Sequence, residues 1–199
     1  DDDLDGHKGY QISLSTEDTE IDAPDYWVTL SWSSTNESAY YNLQGAAYGN
    51  DILVAVAMMG NIIFSTDFGA NWNQGTTGTN KDFYSVAFGN NTFLATGYVG
   101  GVNSGIILSS SDNGTSWDNV TLNTNLTFRG VAYGNDTFVL VGSSGTILSS
   151  SDNGTTWDNR TNSSVTSNYL RHVGFGNDVF VAVGGNGTIV TSSDNGTTW

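Results

Sequence analysis

The 199-residue chain has no cysteine, which excludes disulfides and thiolate metal sites and leaves the redox character of its compartment open. It carries only five lysines and arginines against twenty carboxylates, a formal charge of −15. Phosphate contacts need cationic side chains, so nucleic acid and anionic membrane surfaces are poor partners for it. No run of about twenty apolar residues is present, so no transmembrane helix and no membrane insertion are expected. The sequence opens on Asp1-Asp2-Asp3 rather than on a signal peptide, and this start reads as a mature end left by processing. Its two histidines, His7 and His172, are far apart in sequence, and no phosphate loop or metal-histidine motif is present.

What the chain does have is one motif written four times. It occurs as Ser65-x-Asp67-x-Gly69-x-x-Trp72, Ser110-x-Asp112-x-Gly114-x-x-Trp117, Ser150-x-Asp152-x-Gly154-x-x-Trp157 and Ser192-x-Asp194-x-Gly196-x-x-Trp199. The tryptophans are 45, 40 and 42 residues apart, a period of four-stranded blades rather than of helical repeats. In each motif the Asp can accept hydrogen bonds from backbone N–H groups of a tight turn, and the Gly supplies positive φ. The Trp brings apolar surface where the next strand opens.

The third repeat reads most clearly. Phe128 to Tyr133 is an apolar strand, Gly134-Asn135-Asp136 a turn, Thr137 to Val141 a second strand and Gly145 to Ser149 a third, with Trp157 opening a fourth. Aligned inner strands are Gly45-Ala46-Ala47-Tyr48, Ser85-Val86-Ala87-Phe88, Gly130-Val131-Ala132-Tyr133 and His172-Val173-Gly174-Phe175. Alternation puts Ala or Val and an aromatic on one face, and small residues apart from His172 on the other. Large against small is how face-packed sheets interdigitate.

The motif and its period resemble the Asp-box, or BNR-repeat, β-propeller family of sialidases, sortilin-type receptor domains and photosystem II assembly factors. The resemblance covers about residues 43 to 199. It implies an all-β fold, a small propeller of four four-stranded blades, with the boxes on the blade periphery as framework. Because this fold hosts hydrolases, receptors and assembly factors, it does not itself name a function.

Trp199 is the motif Trp of the fourth repeat, and Trp32 fills the strand position that should follow it. Trp32 precedes Ala46 by 14 residues, as Trp72 precedes Val86 and Trp117 precedes Val131. Tyr26, Val28, Leu30 and Trp32 alternate on one strand face, so residues 26–36 are expected to supply the outer strand of the last blade within a 26–199 propeller. Residues 1–25 form an acidic arm with a spare strand, Tyr10 to Ser15, whose Ile12 and Leu14 share a face. The donated strand either latches a closed monomer or completes a neighbour and propagates an assembly. The spare strand is either a donor to another subunit or a flap over the propeller's own surface. A chain continuing past Trp199 would instead build a larger ring.

Eleven Asn-x-Ser/Thr sequons argue for export. Those at Asn113, Asn153 and Asn195 fall inside the motif turns, which leaves Asn36, Asn90, Asn119, Asn125, Asn135, Asn159, Asn162 and Asn186. Asp1-x-Asp3-x-Asp5-Gly6 matches the opening of a calcium loop, but Ile12 stands where a bidentate Glu is required and no helix pattern flanks it. A solvated acidic tail is the better reading, and no cofactor is expected.

Catalysis finds little support. Glycoside hydrolysis needs two carboxylates across a cleft, whereas Glu17, Glu20 and Glu37 lie in the N-terminal segment and the propeller's Asp residues lie in turns. Arg129 and Arg171 start inner strands, at positions held by Gln44 and Tyr84 in the other repeats. They either bind an anion at a channel mouth or pair with local carboxylates. His172 is either a ligand or a packing residue. The sequence therefore points to a non-catalytic, extracellular or cell-surface glycoprotein that forms a homo-oligomer or polymer by β-strand addition. The alternatives are a monomeric binding module for glycans or proteins and, last, an Asp-box glycosidase fragment.

Overall fold

A computed structural model describes residues 42–99, 104–120, 122 and 126–199. Several expectations fall outside those residues: the arm and its spare strand with Ile12 and Leu14, the donated strand Tyr26–Trp32, the calcium candidate Asp1, Asp3 and Asp5, and the sequons at Asn36 and Asn125.

The described residues form four antiparallel sheets. Blade 1 comprises β1 (Leu43–Gly49), β2 (Ile52–Ala57), β3 (Ile62–Ser65) and β4 (Asn73–Gln74). Blade 2 comprises β5 (Asp82–Gly89), β6 (Thr92–Val99), β7 (Ser104–Ser110) and β8 (Asp118–Val120). Blade 3 comprises β9 (Phe128–Gly134), β10 (Thr137–Gly142), β11 (Ile147–Ser150) and β12 (Asp158–Asn159). Blade 4 comprises β13 (Leu170–Gly176), β14 (Val179–Gly184) and β15 (Ile189–Ser192), three strands among the described residues. The four-blade, all-β expectation holds.

Each blade is a meander because each turn is written for one. The first hairpins close on Asn50-Asp51, Asn90-Asn91, Asn135-Asp136 and Asn177-Asp178, all with positive φ of 45° to 61°. Two consecutive left-handed residues make the turn whose twist suits antiparallel strands, and Asn and Asp tolerate that conformation best among residues with a Cβ. The turn is thus two residues, with Gly134 ending β9. The third strand also differs from expectation. Gly145 is not strand but closes a short 3-10 turn, Ser143–Gly145, with Ser144 and Gly145 at φ 54° and 68°, and β11 starts at Ile147.

Blades stack face to face through three apolar layers. Val54, Val56 and Ile62 of blade 1 pack on Phe83, Val86, Phe93 and Leu108 of blade 2. Leu94 and Ile107 meet Phe128, Val131, Phe138 and Leu140, and then Val139, Val141 and Ile147 meet Leu170, Phe180 and Ala182. The inner strands β1, β5, β9 and β13 adjoin one another in that order. At each layer an aromatic ring of the later blade roofs a glycine of the earlier one. A Cβ added to Gly49, Gly89 or Gly134 would stand 2.0, 2.1 or 2.2 Å from Phe88, Tyr133 or Phe175 respectively. Each ring also packs on a Phe of its own blade, at 4.6 Å between centroids in the pairs Phe88–Phe93, Tyr133–Phe138 and Phe175–Phe180.

Candidate functional site

The repeated motif builds the same hydrogen-bond hub four times. The Ser hydroxyl donates to the Asp carboxylate at 2.8, 2.8, 2.8 and 2.7 Å from Ser65, Ser110, Ser150 and Ser192. It accepts in turn from the amide of Gly69, Gly114, Gly154 or Gly196. The other face of the carboxylate takes both the amide and the side chain of Asn71, Ser116, Thr156 or Thr198. Each Trp indole donates to the motif Gly carbonyl at 2.9 to 3.1 Å.

These donors stabilise the ionised carboxylates. Bonds from Asn71 and Ser65 hold Asp67 below the usual range, and bonds from Thr156 and Ser150 do so for Asp152. Bonds from Thr198 and Ser192 bring Asp194 down to about 2. Burial pushes Asp112 up, but donors from Ser116 and Ser110 outweigh it and the net direction is down. Acceptors held ionised at neutral pH and already saturated with donors suit a framework and not a general acid.

A second use of the turns was not legible in the sequence. The hairpin asparagine of each blade reaches the motif asparagine of the next: Asn50 to Asn113, Asn90 to Asn153 and Asn135 to Asn195, at 3.4, 2.8 and 3.2 Å. The partners are 60 to 63 residues apart, so only the blade order joins them.

Arg129 and Arg171, at the starts of β9 and β13, each lie near Tyr169. The Arg129 guanidinium lies 3.7 Å from the centre of the Tyr84 ring, and its Nε donates to the Tyr169 hydroxyl at 2.7 Å. The Arg171 guanidinium is 5.8 Å from the Tyr169 ring centre. Stacking of this kind is worth about 0.5–2 kcal/mol and fixes a planar fork at low entropy cost. Burial pushes the Tyr84 hydroxyl up, and the neighbouring guanidinium partly offsets it. Among the described residues neither arginine pairs with a carboxylate, in contrast to Arg160, whose η nitrogen lies 2.8 Å from Asp158.

A cleft of about 440 Å³ opens beside Arg129, lined by Tyr98, Leu126, Thr127, Ser143, Ser144 and Tyr169. Tyr84, Tyr98 and Tyr169 were not singled out from sequence. Tyr84 carried a signal, since it aligns with Arg129 one blade later and aligned positions on adjacent inner strands face each other. His172, next to Arg171 in β13, is exposed and makes no hydrogen bond, ion pair or ring contact with this group among the described residues. The nine described sequon asparagines are all exposed. Among the described residues no cluster of His, Cys, Asp or Glu is placed to hold a metal ion.

No family model matches the sequence, and no curated protein matches it. Solved structures do match. YCF48 from Cyanidioschyzon merolae superposes with a TM-score of 0.61 at 17% identity, covering 81% of this chain and 56% of that one. A structure of YCF48 bound to D1 peptide gives 0.57 at 19%, covering 83% and 53%. The computationally designed Ika4 protein gives 0.59 at 13%, covering 78% and 93%. The GH74 enzyme of Niastella koreensis gives 0.57 at 24%, covering 79% and 24%. The chain thus spans about half the length of the YCF48 chains and a quarter of the GH74 enzyme. At these identities the likeness concerns the fold alone, and with the four stacked blades it makes this chain a β-propeller.

Proposed function

We propose that this chain is a non-catalytic, Asp-box β-propeller binding module that holds a carboxylate of a peptide or acidic glycan at the mouth formed by Arg129 and Arg171. One observation carries the reading. In a chain of charge −15, two guanidinium groups on adjacent blades are positioned by tyrosines and have no carboxylate partner among the described residues. Guanidinium forks match carboxylates bidentately, and Arg129 keeps both η nitrogens available once Nε is used on Tyr169. YCF48 bound to D1 peptide is a precedent for peptide capture on this fold. The Asp-box assignment is supported by the four identical hubs. The motif carboxylates themselves are poor candidates for a glycosidase acid, which needs a raised carboxyl, because their donors hold them low.

The test is fluorescence anisotropy with three probes: a peptide whose only carboxylate is its C-terminus, the same peptide amidated, and a uronate-bearing oligosaccharide. Arg129→Gln is expected to weaken the bound class at least about tenfold, since a hydrogen bond to a charged group contributes about 1.5–3 kcal/mol. Equal binding by wild type and variant, or no binding of either carboxylate class, would reject the mouth as the site.

The setting that fits is extracellular or cell-surface, with glycans on the exposed sequons. A second reading, self-assembly by strand addition, is favoured by blade 4. The first three blades each end in an outer strand of two or three residues, and β15 has none among the described residues. Removing residues 1–34 should then destabilise the chain or make it aggregate through the open β15 edge. An unchanged melting curve would contradict strand completion.

A further inference from the structure

Every large apolar side chain exposed among the described residues lies in blade 1 or in blade 4 and its approach: Leu43, Tyr48, Met59 and Phe68 on one side, Val165, Val181, Val183 and Ile189 on the other. Blades 2 and 3 have none among the described residues. Isolated exposed hydrophobics need no explanation, but two groups confined to the two ends of a stack do.

The blade 4 group has an origin in the repeat. Val181 aligns with Val54, Leu94 and Val139, which are 0% exposed, while Val181 is 38% exposed. Val183 aligns with Val56, Thr96 and Val141, again 0% against 38%. Ile189 aligns with Ile62, Ile107 and Ile147, at 0 to 2% against 68%. In the three internal layers the next blade covers these positions. Motif glycines Gly114, Gly154 and Gly196 sit directly on Val54, Leu94 and Val139. Blade 4 therefore presents a face built to be covered by a blade.

The glycine seats give the register. Gly49, Gly89 and Gly134 are each roofed by the aromatic ring of the following blade, whereas Gly176, their counterpart, has no described atom within 4 Å of an added Cβ. The ring that completes the series Phe88, Tyr133, Phe175 is Tyr48, and it stands 53% exposed on blade 1. Within one chain the seat and the ring do not meet. The joint is not a perfect copy of the internal ones. His172 stands where Gly45, Ser85 and Gly130 allow close approach, and Phe68 replaces the motif asparagine that elsewhere accepts from the preceding blade. Phe68 also holds a left-handed φ of 55° that a bulky residue adopts only at a cost, and it offers apolar surface on the very blade that must dock.

We infer that the outward face of blade 4 seats blade 1 of a second copy of this chain, with the Tyr48 ring over Gly176 and Val181, Val183 and Ile189 covered. The contact is heterologous, so each subunit offers one face of each kind and copies add head to tail into a ring or a fibre. It depends neither on the arginine mouth nor on strand addition at β15.

Sedimentation velocity of the full 199-residue chain, from micromolar to millimolar, tests it with two variants. Gly176→Phe fills the seat, and because that position is open and its φ is not left-handed, the variant should melt like wild type. Tyr48→Asp removes the ring from an exposed position. Wild type is expected at two or more times the mass of one chain, and each variant alone as monomer. An equimolar mixture of the two, with one intact face each, should form a dimer and stop there. Wild type that remains monomeric, variants that assemble like wild type, or a mixture that stays monomeric would each overturn the proposal. Assembly that survives both substitutions and is lost on removing residues 1–34 would assign the joint to strand addition instead.

Discussion

Substituting the interblade glycines one at a time should separate internal seats from the open one. Gly134→Ala places a Cβ 2.2 Å from the Phe175 ring, far inside contact distance, and that ring is wedged against Phe180 at 4.6 Å. Overpacking of this kind costs about 1–3 kcal/mol. For a chain of this size that corresponds to a fall of about 2–12 °C in Tm. Gly176→Ala meets no described atom within 4 Å and has an ordinary strand φ, so it should instead stabilise by about 0.4–1 kcal/mol through the unfolded chain. Urea or thermal melts of dilute protein, followed by tryptophan fluorescence, give both values. Equal effects at the two positions would refute the seat argument. A destabilisation at Gly176 in monomeric protein would mean that the ring closes on Tyr48 within one chain.

Three further outcomes are expected. The motif carboxylates have lowered folded-state pKa values, so their stabilisation is complete above the unfolded carboxyl value and is lost as pH falls through the folded one. Tm should be flat down to about pH 5 and decline from about pH 4 toward 2, with a shallower decline in Asp194→Asn; an unaltered slope would remove that group from the account. Phe68→Asn relieves a left-handed bulky residue at an exposed site and should raise stability by roughly 1 kcal/mol, seen as a higher urea midpoint, and a lower midpoint would count against strain. In glycopeptide mass spectrometry of native material, Asn119 and Asn162 should be occupied ahead of Asn90, Asn135 and Asn186, whose side-chain nitrogens are already donating hydrogen bonds. The reverse order would contradict the roles given to those three bonds.

How much was legible before the structure follows from what repeats. The four motifs fixed blade number because the hydrogen bonds of each hub span only a few residues, so spacing alone encodes them. Inner-strand alternation placed Val131 and Tyr133 on one face for the same local reason. Contacts between repeats were opaque. Asn135 and Asn195 read as two separate turn residues, and Tyr169 reads as a loop residue until β13 brings it to Arg129. The outer faces were least visible, since Val181 and Ile189 carry the same pattern as the buried Val139 and Ile147 and differ only in that no described blade covers them. Gly145 reads as the start of the third strand because neither it nor Ser144 signals a left-handed pair without its context.

The most direct test of the binding account is an NMR titration of the arginine Nε–Hε resonances with a short peptide carrying a free C-terminal carboxylate. The chain has three arginines, so the spectrum assigns with three single substitutions. The account predicts that Arg129 and Arg171 shift together while Arg160, held by Asp158, stays in place. A shift confined to Arg160, or no shift at saturating peptide, would contradict it.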